Sequence, residues 1–412
     1  MRLGGDARRI FIVQAFRAFV YGLGSVLIGV TLADLGFSGV QVGLVISALV
    51  AGPAFVSILL ARYGDRVGRV RSYVALLAVM AIAGTVFALT DSVWLLVLAA
   101  LTGTLSTEVV ESGPFTSLEQ AMLPSAAEGH DPTRLFGHYN TIATLAGSIG
   151  ALAAIGTRLF DVEPQRFLLA YPLAALAAIV VAAGLSRALD ALGAVASTRP
   201  KRSLKKSRGI VARLSALFAL DTFGGGFVTQ AFLAYWFTER WGTSPATLGV
   251  VFFAIGLLQA ASFQIAVRLA GRMGLLNTMV FTHLPSNLLL ALIPFAPSQG
   301  TAIALVFGRF ALSQMDVPTR QAYVVAVVEP EERTAAASYT NTARYVVRPV
   351  APLLSGPILA VSLSAPFVIA GVLKSAYDAG LYALFRHVRL PNHEEGGPEL
   401  DRADPADPLP DQ

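Results

Sequence analysis

Residues 36–69 read GFSGVQVGLVISALVAGPAFVSILLARYGDRVGR, and residues 242–275 read GTSPATLGVVFFAIGLLQAASFQIAVRLAGRMGL. Laid on one another without a gap, Gly36, Ser38, Gly43, Arg62, Arg66 and Gly68 fall on Gly242, Ser244, Gly249, Arg268, Arg272 and Gly274. Each copy carries an apolar run of roughly 20 residues between a small-residue start and a basic end, which is the length a helix needs to cross the hydrocarbon of a bilayer. A second, gapped match follows: Pro114 and Gln120-Ala121 resemble Pro318 and Gln321-Ala322, and Tyr139-Asn140-Thr141 resembles Tyr339 to Thr342. The chain is a duplication, so two related halves are expected, with any solute site between them.

Working outward, apolar runs of this length recur along almost the whole chain. Of its 412 residues 55% are hydrophobic and 14% charged, and the mean hydropathy is +0.63, outside the range of soluble domains. The runs predict spans near 10–34, 40–62, 71–90, 93–117, 134–157, 167–189, 209–237, 245–268, 275–296, 300–325, 333–361 and 365–387. Runs so long must be helices, because hydrocarbon leaves backbone groups no partner but one another. The expected fold is an all-α membrane protein of twelve transmembrane helices in two pseudo-symmetric six-helix bundles. The expected boundaries are 1–188 for the first bundle, 189–208 for a basic linker, 209–390 for the second bundle and 391–412 for a disordered acidic tail.

The net charge of +5 would suit nucleic acid, but the basic residues gather on one side of the predicted membrane. Arg62, Arg66, Arg69, Arg71, Arg268, Arg272 and Arg320 fall in one set of loops, with the cluster Arg199 to Arg213, and only Arg158, Arg166 and Arg240 in the other. This asymmetry predicts a multi-pass protein of the cytoplasmic membrane with both termini inside. The basic linker is then a topology signal facing lipid headgroups, and no nucleic-acid partner is expected. The first apolar run reads as a retained helix rather than a cleaved leader. There is no cysteine, hence no thiolate metal site or thiol nucleophile. No phosphate-binding GxxxxGK[ST] loop, HExxH or GxSxG occurs, so no ATP-driven step, cofactor, metal or enzyme activity is expected.

The loop after the second span reads Ala61-Arg62-Tyr63-Gly64-Asp65-Arg66-Val67-Gly68-Arg69-Val70-Arg71. It resembles the signature of the major facilitator superfamily between helices two and three, with Ala61 in place of the first glycine. The second-half copy keeps Arg272 and Gly274 but has Gly271 where the acid would be. The resemblance implies alternating access by a monomer with a small-molecule substrate, and helices one, four, seven and ten around a central cavity. Asp65 would latch the cytoplasmic side, with Gly64, Arg66, Gly68, Arg69 and Arg71 around it.

Ionisable groups at bilayer depth cost at least a few kcal/mol and are functional candidates by default. Here they are Arg17, Glu108, Glu111, Asp221, Arg309, Asp316, Arg344 and Arg348, with Lys374 and Asp378 read as an intrahelical pair four residues apart. Asp221 and Glu108 are the protonation candidates, Arg17 and Arg309 their switchable partners. Arg344 and Arg348 share a face beside Pro349, suited either to an anionic solute or to ion pairs with helix ten. Tyr21, Phe223 and Phe227 are expected to line the cavity, beside Gly224-Gly225-Gly226, where helix seven can bend. His138 and His283 are read as packing residues. The resulting expectation is proton-coupled efflux by antiport, with uptake by symport or uniport as the alternative, a membrane-embedded enzyme or receptor as a distant one, and fixed structural ion pairs as the competing account of the buried charges.

Overall fold

A computed structural model describes residues 4–109, 113–127, 132–186, 189, 204, 206–329 and 332–388. Most of the linker, the acidic tail and Glu111 lie outside them, as do the side chains of Arg62, Asp65 and Arg66. The described residues form helices and no strand. The first half holds α1 (Gly5–Asp34), α2 (Gly39–Val67), α3 (Arg69–Leu89), α4 (Val93–Leu101), α5 (Pro114–Ala126), α6 (Pro132–Leu152) and α7 (Ala170–Ala182). The second holds α8 (Arg208–Gly226), α9 (Gln230–Trp241), α10 (Pro245–Met273), α11 (Leu275–Leu292), α12 (Gln299–Ser313), α13 (Asp316–Ala326), α14 (Arg333–Val347), α15 (Val350–Val361) and α16 (Ala365–Phe385).

The duplication is visible residue for residue. Gly36 and Gly242 end their helices with φ of 63° and 60°, and Gly68 and Gly274 open the next with 95° and 82°. These left-handed conformations favour a residue without a Cβ, so both copies keep glycine there. Between them α2 and α10 have the same 29-residue length. Each starts with a serine hydroxyl accepting from the backbone N–H three residues on, Ser38 from Gln41 and Ser244 from Thr247.

Nine helical segments among the described residues are long and apolar enough to cross a bilayer. The other three expected spans are split: α4 ends at Leu101 and α5 starts at Pro114, α12 and α13 part at Gln314–Met315, and α14 and α15 at Arg348–Pro349. The seventh span is interrupted too, at Phe227–Thr229, directly after the three glycines. Large apolar side chains such as Ile58, Ile82, Trp94, Val180 and Val361 stand exposed around the outside, where lipid can cover them. The molecule is a multi-pass membrane protein of two six-helix bundles.

The halves meet chiefly through three helix pairs, α1 with α9, α2 with α15 and α6 with α10. These contacts lie towards the end of the bundle that bears the 35–38 and 242–244 turns. A Cβ on Gly43 would stand 2.7 Å from Gly356 Cα, and one on Gly249 2.6 Å from the Ala151 carbonyl oxygen. Equivalent glycines of the two copies thus let each half approach the other at backbone distance. At the opposite end, which bears the termini, α5, α8, α13 and α14 make their principal contacts within their own half.

Candidate functional site

Between the halves lies a cavity of about 320 Å³. The helix breaks converge on it: Glu108 and Val109 from the fourth span, Val228 and Thr229 from the seventh, Gln314 from the tenth and Arg348 from the eleventh. Irregular backbone at membrane depth is tolerated where it faces protein or water, and its unpaired N–H and C=O groups can then serve a solute. Across the cavity Arg348 Nη2 meets Glu108 Oε1 at 2.9 Å, an ion pair joining the two halves. One turn earlier Arg344 Nε donates to Thr222 Oγ1 at 3.1 Å.

The second-half wall carries a network centred on Asp221 of α8. Its carboxylate accepts from Lys374 of α16, lies 3.7 Å from Arg320 Nη1 of α13 and 3.8 Å from His283 Nε2 of α11. Arg320 Nη1 also donates to Asp316 Oδ2 at 2.6 Å. The other face of His283 is held by Asp378, whose oxygens stand 2.9 and 3.1 Å from Nδ1. Asn287 Nδ2 donates to Asp378 Oδ2 at 2.7 Å. Lys374 and Asp378 therefore do not neutralise one another along α16, as their spacing suggests. The lysine crosses to Asp221 and the acid to His283, because four residues of helix bring both beside different neighbours.

The first half holds its own network, sealed away from the cavity. Arg17 of α1 donates through Nη2 to Glu119 Oε2 at 2.5 Å. Tyr73 of α3 donates to Glu119 Oε1 at 2.5 Å, and Tyr139 of α6 donates to Oε2. All four side chains are at most 1% exposed, so the pair is fully desolvated, and the tyrosine hydroxyls fill further hydrogen bonds of the Glu119 carboxylate. Both networks bridge corresponding spans with inverted charge: arginine on the first and acid on the fourth, acid on the seventh and arginine on the tenth.

These positions revise several expectations. Arg17 does not reach the cavity, because its side chain turns into its own half towards Glu119. Tyr21 is buried and donates to the Thr104 carbonyl oxygen at 2.9 Å. Phe223 and Phe227 pack on each other with centroids 5.3 Å apart, behind the cavity wall. The cavity aromatics are instead Phe252, Phe263 and Phe310. Glu108, Asp221, Arg309, Asp316, Arg344 and Arg348 do line it. Arg320, assigned above to a loop, is 5% exposed within the bundle. Glu119, Arg320 and His283 were not among the expected site residues. In the signature loop, Arg69 Nη1 donates to the Ala121 carbonyl oxygen at 3.2 Å, tying α3 to the end of α5.

A family model of the Major Facilitator Superfamily matches residues 10–237. The chain belongs to this superfamily. It is accordingly a membrane transporter of small solutes and not an enzyme. A protein of Saccharomyces cerevisiae, described as "Uncharacterized membrane protein YJR124C", is 24% identical over 92% of this chain and 94% of its own length. Among solved structures, the nucleoside transporter NupG superposes with a TM-score of 0.73 at 14% identity, covering 92% of this chain and 99% of its own. A D-xylose-proton symporter superposes with a TM-score of 0.69 at 14% identity, covering 93% and 98%. A bacterial homologue of the human lysosomal transporter Spinster does so with 0.68 at 14%, covering 93% and 97%. At these identities the likeness establishes the fold.

Proposed function

We propose that the protein carries a small organic solute across the cytoplasmic membrane in step with protons, with Asp221 as the coupling group. The observation that supports this best is the sharing of one cavity-wall carboxylate among Lys374, Arg320 and His283, which come from three different helices. A carboxylate holds or releases a proton according to the cations facing it, so a solute or helix movement that draws one away changes its protonation. The His283–Asp378 contact offers the proton a second station.

The domain limits given above, a monomeric state and cytoplasmic termini belong to the same proposal, the last supported by the basic loops. With that orientation the closed end is external and the cavity opens inwards. The signature loop, Asp65 foremost, would latch the opposite state. Efflux by antiport is the direction proposed. The structural likeness to a D-xylose-proton symporter favours the second reading, uptake by symport.

The test is solute-triggered proton movement in proteoliposomes over a panel of organic cations, sugars and organic acids, with Asp221→Asn alongside. Coupled transport is expected, lost in the variant, and the direction of the proton relative to the solute separates antiport from symport. Solute flux without proton movement, or coupling that survives Asp221→Asn, would reduce the network to a structural part.

A further inference from the structure

Five cationic side chains line the cavity, Arg309, Arg320, Arg344, Arg348 and Lys374, against three carboxylates, Glu108, Asp221 and Asp316. Among the described residues, and with His283 neutral, the walls carry two positive charges in excess. Four of the five cations already have partners: Arg320 and Lys374 hold Asp221, Arg348 holds Glu108, and Arg344 bonds Thr222. Arg309 differs. Among the described residues its guanidinium has no hydrogen-bond or ion-pair partner, and its Nε is buried without one. The face of Phe310 stands 4.6 Å from the guanidinium carbon.

A second unfilled group stands beside it. Ser313, four residues on and therefore on the same face of α12, also lines the cavity with a buried hydroxyl that has no partner. The third buried polar atom without a partner on this wall is Asp316 Oδ1, at the start of α13. Among the described residues, the fully buried side-chain atoms of the cavity wall that have no partner are thus gathered along one stretch of the tenth span. They comprise a guanidinium and a hydroxyl, both donors, followed by one acceptor. A buried guanidinium with no direct hydrogen bond or ion pair is unfavourable unless something occupies that place. Phe252, Phe263 and Phe310 add an apolar surface to the same space.

We propose that the solute is a small organic anion, a carboxylate or phosphate monoester on a compact apolar or hydroxylated body, with its charged group on Arg309 and Ser313. Asp316 Oδ1 would accept from a hydroxyl or amine on the same molecule. The substrate class rests on the transport reading of this cavity, whereas binding is measurable without transport. The guanidinium suits the charged end because its planar fork binds carboxylate or phosphate oxygens in pairs.

The experiment is binding to the full chain in nanodiscs of neutral phosphatidylcholine, read by isothermal titration calorimetry. The probes are benzoate, gluconate and phenyl phosphate, with benzyl alcohol, glucose and benzylammonium as neutral and cationic counterparts. Anions are expected to bind and their counterparts not to. Arg309→Gln should weaken binding roughly 10- to 100-fold, while Arg309→Lys, which keeps the charge without the fork, retains part of it. Repetition with phosphatidylglycerol in the disc separates two sources of the charged group, since a headgroup entering from the bilayer would compete with the soluble anions. Equal binding of neutral or cationic probes, absence of binding by all three anions, or full affinity in Arg309→Gln would overturn the assignment. Flux of a neutral or cationic solute would then leave the transporter reading standing. Anion binding with no flux of any solute would do the reverse.

Discussion

Replacing Gly43 with alanine, and separately Gly249, places one methyl group where the two halves touch. At Gly43 the new Cβ meets Gly356 Cα at 2.7 Å, Gly356 N at 2.8 Å and the Pro352 carbonyl oxygen at 3.0 Å. All three are backbone atoms, so no side chain can swing aside and the helices themselves must separate. At Gly249 the nearest atom is the Ala151 carbonyl oxygen at 2.6 Å. Overpacking of this kind costs about 1–3 kcal/mol, and it acts only in the state in which this end is closed. Each substitution should therefore shift the equilibrium between the two access states by a factor of about 5 to 150. The sites share no contact atoms, so the double variant should approach the product of the two factors. The natural chain has no cysteine, and a single Gln259→Cys reporter on the cavity wall needs no background removed. A membrane-impermeant maleimide, added from the side of the 35–38 and 242–244 turns, should label the reporter slowly in the parent and progressively faster in the single and double variants. Labelling that stays at the parent rate in the double variant, with the protein still folded, would refute the claim that these glycines set the closure.

The sealed network of the first half should behave as structure. Glu119→Gln leaves Arg17 buried with a neutral partner, and breaking such a pair costs about 3–5 kcal/mol, so a lowered unfolding midpoint is expected. An unchanged midpoint with lost flux would assign Glu119 to the transport cycle instead. The pair joining the halves should behave in the opposite way. Arg348 and Glu108 side chains are 22% and 39% exposed, so Glu108→Gln should change stability by only about 0–1 kcal/mol yet alter the rate of cycling. The charge swap Glu108→Arg with Arg348→Glu should recover that rate, and a swap no better than either single variant would count against a pairwise role.

What could be read from the chain before its structure was whatever local geometry decides. The duplicated glycines are legible because a left-handed turn selects them at Gly36 and Gly242 whatever lies nearby. Helical depth is likewise read from the chain, which puts Asp221 and Arg17 nearer the middle of their spans. The direction a side chain takes round a fully enclosed helix is not. Most of α1 is buried from Ala7 to Leu32, so no polar face marks where Arg17 turns. The breaks were a second obstacle. A continuous fourth span ends near residue 117, whereas the break after Leu101 carries the chain on to Ala126 and draws Glu119 into the bundle. The same shift at Gln314–Met315 takes Arg320 out of the loops and onto Asp221. Lys374 and Asp378 show the remaining limit, since spacing along a helix says which residues can meet and not which competing partner wins.

The four interrupted spans bear on what travels with the cargo. A helix end leaves up to four carbonyls or four amides without intrahelical partners, and here several such ends face a single small chamber. When that chamber is sealed on both sides, those groups still need hydrogen bonds, and a compact solute cannot reach all of them. Some must be met by enclosed water. Passage through the occluded state is then the movement of a hydrated parcel, with its solvent counted into the stoichiometry. The rate should therefore respond to osmotic stress, because an inert osmolyte too large to enter withdraws water from the chamber and not from the solute alone.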